Sequence, residues 1–66
     1  MNKIDKNTAI KMFNRIYPEF RGIIVAETND GVIIEADFPD GTFYFRVTDN
    51  SVSSAYDSKE AADRVH

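Results

Sequence analysis

The spacing of apolar residues changes period part-way along the chain. Near the N-terminus, Ile10, Phe13, Ile16, Tyr17 and Phe20 recur at the three- and four-residue steps of one helical face, with Lys11, Asn14 and Arg15 on the other. Met12 falls between the two faces. Asp5, Asn7 and Thr8 each offer an oxygen to cap the first turn. Pro18 cannot continue the hydrogen-bond ladder and disfavours helical geometry at Tyr17, so the helix ends near Ile16 or Tyr17.

Beyond Gly22 the period drops to that of a strand. Three β-branched and aromatic runs, at 23–28, 32–38 and 42–48, are separated by Asn29-Asp30-Gly31 and Pro39-Asp40-Gly41. Such turns read as hairpins, with glycine expected to supply a positive φ. If Asp40-Gly41 is a two-residue loop, Phe38 faces Phe43, Ala36 faces Phe45 and Ile34 faces Val47. On the other face Asp37 then meets Tyr44, and Glu35 meets Arg46. Each pair matches like with like or charge with counter-charge, whereas a one-residue slip opposes Glu35 to an apolar side chain.

The same reasoning at Asp30-Gly31 places Val25 opposite Ala36 and sends Ile23 and Val25 to the core face. A bulged three-residue loop instead sends Ile24 and Ala26 there. Asp49-Asn50-Ser51 forms a further turn signal before a short edge strand at 52–56. The last apolar residues, Ala61, Ala62 and Val65, suit a short helix capped by Asp57 with Glu60 three residues on. A helix that short must dock or fray. The expected fold is therefore α+β and a single domain over 1–66: an N-terminal helix packed on a three- to four-stranded antiparallel meander, then a short C-terminal helix.

Composition narrows the chemistry. Sixty-six residues without cysteine, and with His66 as the sole histidine, exclude a disulfide framework and a cysteine-based zinc site. A chain this small has a thin stability margin and gains from covering more apolar surface. The net charge of −3 opposes nucleic-acid binding, which needs clustered Lys and Arg. No run approaches the length of a membrane span. The N-terminal Met1-Asn2-Lys3-Ile4-Asp5-Lys6 lacks the apolar stretch of a signal peptide, so a cytoplasmic location is expected.

Catalytic patterns are absent from the sequence. Gly22, Gly31 and Gly41 are too scattered for a phosphate loop. A hydrolytic triad would depend on the terminal His66, and neither Asp-Gly turn has the ligand spacing of a calcium loop. Phe43-Tyr44-Phe45 resembles a base-stacking platform, but only Arg46 lies near it and two of its rings point to the core. Glu35, Asp37, Tyr44 and Arg46 converge on one sheet face and form the candidate for a small-molecule, metal or acid-base site. The same face carries Ile24, Ile33 and Tyr44, an apolar centre with a polar rim suited to a protein partner.

The order of elements, together with the Asp-Gly turns, resembles the small repeat units of bacterial secreted inhibitory domains of the PepSY type, a likeness of fold that does not by itself carry a function. The expectation is a non-enzymatic protein-interaction module without cofactor, acting through the open sheet face or an edge strand. Its partner would be another protein or a second copy, as for small regulators of phages and mobile elements. A small ligand- or metal-binding domain or enzyme using Glu35, Asp37, Tyr44 and Arg46 is the alternative, and nucleic-acid binding a second one.

Overall fold

The computed structural model describes residues 4–64. The order is α1 (Lys6–Ile16), β1 (Gly22–Glu27), β2 (Gly31–Phe38), β3 (Gly41–Thr48) and α2 (Lys59–Asp63). The strands form one antiparallel sheet in the order β1-β2-β3. This is the expected α+β arrangement. The 52–56 segment forms only isolated bridges to β3, at Tyr44–Tyr56 and Val47–Val52.

Asp5 is the N-cap of α1: its carboxylate accepts from the Thr8 N–H at 3.2 Å and from the Thr8 hydroxyl at 3.1 Å. The helix stops at Ile16, directly before Tyr17 and Pro18, as proline geometry requires. Its inward face is set by Ala9 and Phe13, both fully buried, with Ile10, Met12 and Tyr17 packed beside them. Ile16, expected on that face, is 53% exposed. Ala9, Phe13 and Tyr17 already cover the sheet, and Ile16 sits on the flank.

Phe13 joins α1 to an aromatic cluster on the sheet. Its ring centroid lies 5.1 Å from those of Tyr17 and Phe45, and Tyr17 in turn stands edge-on to Phe38 at 5.4 Å. Val32, Ile34, Ala36 and Val47 complete the buried layer beneath α1, and Ile4 closes one end of it. Gly22 lets the helix come this close, because a Cβ there would stand 2.9 Å from the Phe13 ring and 2.7 Å from Ile34.

The second hairpin keeps the expected facing but not the expected pairing. Phe38 pairs with Gly41, so Pro39 and Asp40 are the corner residues; Ala36 faces Phe43, Ile34 faces Phe45 and Val32 faces Val47. The loop sits one residue earlier than expected. Proline's fixed φ suits the first corner of a turn, and Gly41, at φ 139°, takes the positive φ that follows. Every partner moves by two residues, so no side chain changes face. On the other face Glu35 now meets Tyr44, Asp37 meets Thr42 and Arg46 meets Ile33. The expected Glu35–Arg46 and Asp37–Tyr44 pairs are not formed.

The first hairpin differs more. Ile24 pairs with Ile34 and Ala26 with Ile33, with a bulge at Val25. Ile24 therefore packs on the core side, whereas Ile23, opposite Glu35, is 55% exposed on the other. The expected core positions Ile23 and Val25 are corrected by this bulge, which flips the pleat once within the strand. Gly31 does not adopt a positive φ. It is small for another reason: a Cβ there would overlap the Val47 carbonyl oxygen.

Candidate functional site

The sheet face away from α1 holds most of the polar residues singled out from the sequence, and α2 divides it. Ser58, not Asp57, caps α2: its hydroxyl accepts from the Ala61 N–H at 3.0 Å. The helix docks through Ala62, which is fully buried, and covers Ile33, which is 1% exposed. Val65 and His66 lie outside the described residues.

Arg46 fastens the helix to the sheet. One guanidinium nitrogen donates to the carbonyls of Asp63 at 2.7 Å and Ala62 at 3.4 Å. The other donates to the Asp30 carboxylate at 2.8 Å, which also accepts from the Thr28 hydroxyl at 2.9 Å. The last carbonyls of a helix lack intrahelical donors, so a cation placed there satisfies them. These bonds, above all the one from Arg46, hold the Asp30 carboxyl below its ordinary pKa. Arg46 is thus a buried fastener and not part of an open polar site.

Glu35 and Tyr44 do meet. The Tyr44 hydroxyl donates to the Glu35 carboxylate at 2.9 Å, and this bond pushes the phenol pKa above its usual value. Asp37 accepts from the Thr42 hydroxyl at 2.6 Å at the exposed end of the sheet. The Glu35–Tyr44 pair forms the floor of an open cleft of about 430 Å³. Val25 lines it on one side, and Asp57, Ser58, Lys59 and Glu60 at the start of α2 line it on the other. Three carboxylates (Glu35, Asp57 and Glu60) against one lysine make the cleft acidic. Among the described residues no group of three or more His, Cys, Asp or Glu side chains is placed to hold a metal ion.

A raised phenol pKa has a direct readout. The protonated phenol is favoured in the folded state, so this contribution is complete below the ordinary tyrosine value of about 10. It is lost as pH rises through the higher folded value. In an NMR titration of the tyrosine rings, Tyr44 should ionise late, and Glu35→Gln should bring it back towards its usual value. A midpoint unmoved by that substitution would remove Glu35 as the cause.

The apolar patch expected from Ile24, Ile33 and Tyr44 does not exist as one surface. Ile24 packs on the opposite face, Ile33 lies beneath α2, and Tyr44 belongs to the cleft. An Ile33→Glu substitution would therefore report on folding and not on binding. The cleft residues of α2 escaped the sequence reading because only docking brings them over the sheet. Asp57 and Glu60, an acidic pair at a short helix start, were their one visible trace.

The two sheet edges differ sharply. Along β3, the 51–56 segment is bonded to the strand through Tyr44 N–H to Tyr56 carbonyl at 2.8 Å, its reciprocal at 2.9 Å, Ser53 N–H to Arg46 carbonyl at 2.9 Å and Thr48 N–H to Ser51 carbonyl at 2.9 Å. The Arg46 N–H also donates to the Ser53 hydroxyl at 2.8 Å. Along β1, no described strand lies on the outer side. No helix among the described residues is long and apolar enough to cross a membrane.

The fold and site define a small α+β domain with one capped sheet edge and one edge left uncovered by the described residues, beside an acidic cleft. Comparison with protein-family models, curated proteins and solved structures found no match.

Proposed function

We propose that this chain is a non-enzymatic protein-interaction module that accepts an extended segment along the open edge of β1. The observation that carries the reading is the contrast between the edges. An exposed strand edge offers unpaired N–H and C=O groups to any passing chain, and folded proteins ordinarily cover it. Here one edge is covered by dedicated backbone bonds, while among the described residues the other is left open with the half-exposed Ile23 beside it. Strand addition draws affinity from main-chain bonds and specificity from alternate side chains. Mild acidity and the lack of cysteine fit a cytoplasmic regulator or inhibitor of the kind phages and mobile elements encode.

The test is binding of partners to the tagged chain and to Ile23→Lys. Position 23 is exposed, so lysine should leave the fold intact while adding a charge that blocks an edge. Capture or self-association should fall about tenfold or more if the edge forms the interface. Equal binding by a folded Ile23→Lys protein would refute the edge.

A further inference from the structure

We propose that the strand completing β1 is β1 of a second copy of this chain, paired antiparallel about Ile23, so that each copy's Arg21 enters the acidic cleft of the other. This rests on the edge reading above and names its partner.

A two-fold axis beside Ile23 sets Ile23 against its symmetry mate, Gly22 opposite Ile24 and Arg21 opposite Val25. Among the described residues, Ile23 is the more exposed of the two large apolar side chains that stand out from the surface, and this pairing covers it with its own copy. Arg21 lies two residues before Ile23 and one residue outside β1; with the strand extended by that one residue, the pleat would place it on the face of Ile23, the one that holds the cleft. It is exposed, and no described side chain forms an ion pair with it.

Its cross-strand neighbour in the pair, Val25, lines the cleft with Glu35, Asp57 and Glu60. Opposite Cβ atoms in such a pair stand about 5 Å apart, well within the length of an arginine side chain. Arg21 before the open edge and a carboxylate cleft further along it are brought together in both copies at once when the strands run antiparallel. A two-fold axis forms the contact twice.

Closure supports the same partner. The joined sheet has six strands, and both of its outer edges are β3, each already covered by its own 51–56 segment. Pairing therefore uses every open edge and stops at two copies, as a two-fold interface should. The bulge at Val25 confines the pairing to the start of β1 and opposes slippage along it.

Sedimentation of the full chain over a range of concentrations at low salt, with circular dichroism as a fold control, tests the proposal. Wild type should dimerise, and Ile23→Lys should be monomeric. Arg21→Glu should weaken the dimer by about tenfold or more, and Arg21→Glu combined with Glu60→Arg should recover most of that loss, because opposite charges again face each other. Arg21 and Glu60 are both exposed, so the fold should survive all these changes.

A wild type that remains monomeric at the highest soluble concentration overturns self-pairing. If that monomer nonetheless captures a foreign partner in an Ile23-dependent way, the edge reading stands and only its occupant was misassigned. A dimer indifferent to Ile23→Lys overturns both. A dimer sensitive to Ile23→Lys but untouched by Arg21→Glu overturns the cleft contact.

Discussion

Alanine in place of Arg46 should release α2 from the sheet and cost about 2–3 kcal/mol of folding stability. The guanidinium is the shared partner of the Asp30 carboxylate and of the Ala62 and Asp63 carbonyls. Removing one side of a fully buried pair costs more than this. Asp30's side chain is 46% exposed, however, so water takes up part of the loss. Denaturant unfolding would measure the change, and hydrogen exchange should show amides of α2 becoming less protected than those of the strands. A change below about 0.5 kcal/mol, the usual size of a surface effect, would show that packing at Ala62 alone holds the helix.

The same substitution alters the acid limb of stability. Asp30 has a folded pKa below its unfolded one, so its contribution is complete above the ordinary carboxylate value of about 4. It is lost as pH falls through the lower folded value. Wild type should therefore lose this increment under acid, whereas Arg46→Ala, with the main cause of the shift gone, should lose less. For the proposed interface the variant is informative as well: with α2 loosened, Glu60 and Asp57 no longer hold their places beside the cleft.

Phe13→Ala should cost about 3–5 kcal/mol, the range for emptying a fully buried aromatic site. A chain of this length has about 3–10 kcal/mol of stability in total, so the variant should be largely unfolded near room temperature. Phe13 touches the rings of Tyr17 and Phe45, and α1 has no other fully buried large side chain with which to hold the sheet. Collapse into the gap is limited because Gly22 already lets helix and strand approach closely. Thermal melting by circular dichroism would decide it. A cooperative melt within a few degrees of wild type would mean that the core repacks around the vacancy.

Several features were legible in the sequence. The change in apolar period after Phe20 separated helix from sheet, Pro18 ended α1, and alternation through β2 and β3 assigned every side chain to its face. Asp37, Glu35 and Tyr44 were correctly grouped on the polar side. The errors have two backbone sources. Both turns sit one residue earlier than the Asp-Gly dipeptides suggest, at Asn29-Asp30 and Pro39-Asp40, which shifts partners by two without changing faces, and the bulge at Val25 reverses the first strand's pleat. Because a strand has period two, that single extra residue moved Ile23 outward and Ile24 inward.

By itself, then, the sequence determined the element order, the antiparallel meander and the apolar content of the core, because local periodicity and turn chemistry act over a few residues. Tertiary structure alone decided which edge is open and what lies over the sheet. Helix α2 is docked by the buried Ala62 and by Arg46, which reaches from β3 to Asp30 and to the end of a helix far along the chain. The cleft beside the β1 edge is formed by that docked helix and the sheet together.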